Sequence, residues 1–177
     1  MAIAFELVVD FGGDKQSADD CLKWLSARIT PVTIDQYEIA IHPPQASGYP
    51  FGAPTRFQVS VIPANVGCAV ALDVTDDRIP LNDFQLSRLG RSLYDVLRGA
   101  PCYELAMVGW DVDFLLDIDE LNTDWTTEIQ DGSFSGLVVR TNLISRLPKS
   151  SHFVPLMKNT CGYPILVPKH CSPANTA

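Results

Sequence analysis

The chain has little charge, few histidines and no long apolar run. Charged residues make up 19% and hydrophobic ones 46% of its 177 residues. A disordered chain shows the opposite balance, so a packed globular fold is expected. No uncharged apolar stretch approaches the roughly 20 residues that cross a bilayer. The opening residues, MAIAFELVVD, lack a basic segment and carry Glu6 and Asp10 inside their apolar run, which argues against a secretory signal. A cytoplasmic protein is the expectation. Basic residues are scarce too, 13 Lys and Arg against 21 Asp and Glu for a net charge of −8. Nucleic acid and anionic membranes both require a cationic face, so neither is expected as a partner, whereas a cationic protein fits. The five cysteines are an odd number with no Cys-x-x-Cys. A chain of this size buries enough surface to need no stapling, so free buried thiols are expected.

Motifs of catalysis are equally sparse. The three histidines, His42, His152 and His170, are accompanied by no Gly-x-Ser-x-Gly elbow, P-loop or dinucleotide fingerprint. Cys161, His170 and Cys171 lack the paired spacing of a zinc site. Gly12-Gly13-Asp14 reads as a turn, because Asp14 would repel a phosphate. No cofactor and no metal site are implied.

Periodicity supplies the fold. Ile3, Phe5, Leu7, Val9 and Phe11 alternate with smaller or polar residues as a strand does. Ser17 and Asp20 form a variant capping box for a helix with Ala18, Cys21, Leu22, Leu25 and Ile29 on one face, stopped at Thr30-Pro31. Strands are expected over 37–42, 55–62 and 66–74. Between the first two, residues 42–55 hold four prolines and two glycines, which predicts a long exposed loop with Tyr49 and Phe51 as aromatic anchors. Asn82 or Asp83 caps a second helix that ends at Gly99 and Pro101. A strand or bent strand pair over 103–118, a strand over 134–140, a helical turn over 142–146 and a proline-broken apolar stretch complete the chain. These elements predict an α+β fold, with a mostly antiparallel sheet of five to seven strands and two main helices packed on one face. A single domain over 1–173 and a frayed tail over 174–177 are expected. Trp24 and Trp110 are assigned to the core, and Trp125 to the surface.

The acidity is local. Residues 99–139 contain no Lys or Arg but nine carboxylates, which against the total of −8 leaves the rest of the chain near neutral. Within that stretch Trp110, Val112, Phe114, Leu116 and Ile118 occupy even positions, and Asp111, Asp113, Asp117 and Asp119 odd ones. On a strand, period 2 would put four carboxylates on one face. Like charges two residues apart repel and offer the fold nothing, so the grouping points to a docking face for a cationic protein. A solvated face, or an edge that blocks aggregation, is the structural alternative. The residues assigned to docking are Asp111, Asp113, Asp117, Asp119, Glu120, Asp124 and Trp125, with Tyr49 and Phe51.

Three resemblances attach to these residues. Asp111-Val-Asp113 after Gly99-Ala100 resembles the signature of polymerase-β-type nucleotidyltransferases, which implies a divalent-metal-dependent transferase using the Asp pair. Ala100 replaces the serine of that pattern and Arg98 an apolar residue. In size, charge and architecture the chain resembles bacterial immunity proteins of toxin–immunity pairs, and its carboxylates are similar to those of DNA-mimic inhibitors. The immunity resemblance implies a non-enzymatic inhibitor that covers the active site of a cationic toxin acting in the cytoplasm. An assembly factor docking on a larger complex is the remaining alternative.

Overall fold

A computed structural model of the chain describes residues 2–48, 56–69, 78–110, 112, 118–132, 136–149, 152–158 and 164–168. Its strands are β1 (Ala2–Asp10), β2 (Val32–Ile34), β3 (Tyr37–Ile39), β4 (Gln45–Gly48), β5 (Phe57–Val61), β6 (Gly67–Ala69), β7 (Leu105–Trp110), β8 (Leu137–Arg140), β9 (Phe153–Lys158) and β10 (Pro164–Pro168). Its helices are α1 (Lys15–Ser26), α2 (Asp83–Asp95), α3 (Ile118–Thr123) and α4 (Thr126–Asp131), with a 3-10 helix at Thr141–Arg146. The main sheet has eight strands in the order β4-β5-β1-β7-β8-β10-β9, with β6 also pairing β1, and every pair is antiparallel. A separate ribbon joins β2 and β3. The class is α+β, as the periodicities predict.

Alternation along β1 builds two cores. Phe5, Leu7 and Val9 point to one face, where they meet Ala18, Cys21 and Leu25 of α1 and Leu89 and Leu93 of α2. Both helices start on well-made caps. Asp14, set by the Gly12-Gly13 turn, accepts from the Ser17 amide at 3.0 Å and the Ser17 hydroxyl at 2.7 Å. The N-cap is therefore Asp14, not Ser17, which lies one turn inside α1. Asn82 accepts from the Gln85 amide at 2.9 Å, and the Gln85 side chain accepts from the Asn82 amide at 3.0 Å, a complete capping box. Beyond α2, Gly99 takes φ +76°, the left-handed geometry that ends a helix.

The opposite face of β1 carries Glu6, Val8 and Asp10. Val8 joins Leu105, Met107, Leu137 and Val139 under Val112, Ile118, Leu121 and Ile129 as a second core. Asp10 is fully buried and accepts from the Gly12 amide at 2.8 Å, Gln58 Nε2 at 2.9 Å, Arg56 Nη2 at 2.7 Å and Arg56 Nε at 3.2 Å. Its four lone-pair sites are occupied, as burial of a charge requires, and the donors from Arg56 and Gln58 fasten β5 to β1.

Several expectations are corrected. Gln45–Gly48 forms β4 on the sheet edge, inside the stretch expected to be loop. An edge strand pairs on one side only, and here Pro43 and Pro44 precede it. The strand expected over 103–118 ends at Trp110, and Ile118 opens α3, so Asp119 stands on a helix. The strand expected over 66–74 is described as Gly67–Ala69, with 70–77 outside the described residues. Cys102 is disulfide-bonded, against the expectation of free thiols, while Cys21 is free and buried. The tail over 174–177 lies outside the described residues.

Candidate functional site

Of the residues assigned to docking, Asp111, Asp113, Asp117, Tyr49 and Phe51 lie outside the described residues. Asp119, Glu120, Asp124 and Trp125 are described, and the structure brings them together on the α3–α4 pair. The local sequence explains how. Ile118 and Leu121 of α3 and Ile129 of α4 are buried against the sheet, which fixes both short helices by their apolar sides. Asp119 and Glu120 fall in the first turn of α3, where the helix dipole favours negative charge. Asp119 is 87% exposed at its side chain and stands 3.4 Å from Arg146 of the 3-10 helix. An ion pair that long and open contributes under about 1 kcal/mol. Asp124 is exposed in the turn between the helices, and Glu128 and Asp131 continue the acidic run on α4. Trp125 is half-buried against the second core, not a surface tryptophan.

Trp110 is the reverse case. Its assignment to the core is corrected, since it is 44% exposed. Its register partner Phe5 meets it edge-on, with ring centroids 5.3 Å apart. It is the last residue of β7 and lines a concavity with Leu86 and Gly90 of α2. Two concavities flank it, of about 320 Å³ beside Ile79 and Leu81 and about 420 Å³ beside Gly90 and Tyr94, sharing Leu86 and Trp110 as common wall. Asp83 and Arg91 stand at the rim of the larger one. Its floor is held by Tyr94, whose hydroxyl accepts from the Val108 amide at 3.1 Å and donates to the Gly136 carbonyl, tying α2 to both β7 and β8. This groove lies on the α2 side of the sheet, whereas the acidic helices lie on the other.

Ionisation within the described residues is structural. Burial pushes the Cys21 thiol up to about 12, so it holds no thiolate at neutral pH. Burial likewise raises Tyr103, whose hydroxyl is buried with no hydrogen-bond partner. Asp35 is held below the usual carboxylate range by hydrogen bonds from Gln85 and Arg88, which tie the β2–β3 ribbon to α2. Among the described residues, no group of three or more His, Cys, Asp or Glu side chains is placed to hold a metal ion, and no helix is long and apolar enough to cross a membrane. No family model, curated protein or solved structure matches the chain.

Proposed function

We propose that the chain is a non-enzymatic binding protein that docks a cationic protein partner on the outer surface of α3 and α4, in the manner of an immunity-type inhibitor covering a toxin's active site. The observation that supports this most is the mounting of the carboxylates. Ile118, Leu121 and Ile129 anchor the two helices, so Asp119 and Asp124 project from a packed base and not from a loose tail. A patch of one sign on a fixed base raises encounter rates with an oppositely charged partner and fixes its orientation.

The test is capture of partners from the native host by the wild-type chain, followed by binding measurements on whichever protein is retained. The expected partner is one small basic protein whose own activity the chain inhibits. Asp119→Lys with Asp124→Lys should weaken that complex at least about tenfold and flatten its salt dependence, while stability falls by only about 1–2 kcal/mol through the lost helix-dipole and Arg146 interactions. Trp110→Ala, on the other side of the sheet, should leave binding unchanged. Undiminished binding by the double variant, or loss of binding only in Trp110→Ala, overturns the proposal.

A further inference from the structure

Asp83, Ser87, Gly90, Arg91 and Tyr94 recur at helical spacing along one side of α2, and together with Trp110 they line the concavity of about 420 Å³. That volume lies within the roughly 300–1,000 Å³ of small-molecule sites. A Cβ at Gly90 would stand 3.1 Å from Val108 Cγ1, so glycine lets α2 lie close on β7 and leaves that turn of the wall without a side chain. Trp110, the exposed aromatic at the end of β7, supplies a flat apolar wall.

Most polar groups around this recess are already satisfied. The Tyr94 hydroxyl accepts from the Val108 amide and donates to the Gly136 carbonyl, and the Ser87 hydroxyl donates to the Asp83 carbonyl at 2.9 Å. The Asp83 carboxylate stands in the first turn of α2, where the helix dipole favours its charge. Arg91 differs from its neighbours. Arg88 pairs with Asp35 and Arg98 with Asp95, whereas Arg91 is exposed and makes no hydrogen bond or ion pair among the described residues. A guanidinium at the mouth of an aromatic-walled recess selects a planar anion, above all a carboxylate, which it can meet with two parallel hydrogen bonds.

We infer that this concavity binds a small aromatic monocarboxylate, its ring system against Trp110 and its carboxylate on Arg91. Asp83 stands eight residues from Arg91, about 12 Å along the helix axis, and repels a second negative group at that end of the recess. A monoanion is therefore preferred to a dianion, and Arg91 disfavours a cation. The site lies across the sheet from α3 and α4, so it is independent of any protein docked there.

The test is a titration of the full chain, labelled with nitrogen-15 and followed by NMR, with four probes that share one ring system: naphthoate, naphthylmethanol, naphthylmethylamine and naphthalenedicarboxylate. Naphthoate should shift the Gly90 and Arg91 amides and the Trp110 indole with a Kd of roughly 0.1–1 mM. The alcohol and the dicarboxylate should each bind about 5–10-fold more weakly, and the amine more weakly still. Arg91→Gln, an exposed change that leaves the core intact, should reduce naphthoate to the alcohol's affinity without altering the alcohol's, and Trp110→Ala should weaken both. Equal affinity for naphthoate and the alcohol in the wild type, no effect of Arg91→Gln, or shifts centred on α3 and α4 would overturn the inference. A dicarboxylate that binds as well as naphthoate would refute the role given to Asp83. Shifts of the same amides on raising protein concentration alone would make a second copy of the chain the occupant, and the small-molecule assignment would fall.

Discussion

The two faces of the sheet are covered by different means. On one, α1 and α2 are helices of 12 and 13 residues, each begun by a side-chain cap and each burying a regular stripe. On the other, α3 and α4 have six residues apiece, and Trp125 at the α4 N-cap makes no capping hydrogen bond. Helices that short have almost no stability of their own, because nucleation consumes what a single turn returns. They persist because a few apolar side chains hold them to the sheet. The capped face therefore carries the architecture, and the second face carries charge on elements too short to be spoken for by local preference.

The largest expected effect compares one buried leucine from each face. Leu93 of α2 and Leu121 of α3 are both almost wholly buried. Truncation of a buried leucine costs about 2–5 kcal/mol, the spread reflecting how far the surroundings relax into the cavity. Leu93→Ala should fall near the top of that range, since α2 is held by its cap and by Tyr94. Leu121→Ala should fall near the bottom, because a six-residue helix settles into the space. Denaturant unfolding of the two variants measures this, and equal costs would break the contrast between the faces.

The same contrast sets how much was legible in the sequence. The β1 alternation, the Asn82 cap and the α2 stripe are local signals, and each is an element of the fold where expected. Of the alternation after Trp110, residues 111 and 113–117 lie outside the described residues, and its last member, Ile118, opens α3. Ile118 and Leu121 are three apart and share a helical face, a spacing too brief to outweigh the alternation before it. Acidity as a property of 99–139 was legible from composition alone, and of its carboxylates Asp119 and Glu120 stand on α3 and Asp124 in the turn after it. Trp110 was not legible, since exposure at a strand end depends on how neighbouring elements pack beside it. The bond at Cys102 was hidden as well, because cysteine count and spacing do not say which thiols the fold brings together.

A smaller effect of opposite sign is expected at Tyr103. Its ring fills the first core and is 1% exposed, but its hydroxyl has no partner there. Leaving a hydroxyl unsatisfied in a core costs about 1–3 kcal/mol. Tyr103→Phe removes the oxygen and keeps the ring, so it should stabilise the chain by about 1 kcal/mol, visible as a Tm raised by roughly 2–4 °C. A destabilised Tyr103→Phe would mean that the first core depends on that oxygen, and the picture of a dry, self-sufficient face under α1 and α2 would fail.

The smallest effect sharpens the role of capping. The Ser17 amide and then the Ser17 hydroxyl hold the Asp14 carboxyl below its ordinary value. Because the folded pKa lies below the unfolded one, the stabilisation is fully present above about pH 4 and is lost as pH falls through the folded value. Asp14 is exposed, so solvent screening keeps its worth at the lower end for an N-cap, about 0.5–1 kcal/mol. Asp14→Ala should therefore lower Tm by roughly 1–4 °C at neutral pH. The gap between variant and wild type should close in acid, once both lack a charged cap. A gap that stays constant down to pH 2 would show that Asp14 acts through neutral hydrogen bonding or chain stiffness, and that charge at the start of α1 is incidental to how that face of the sheet is covered.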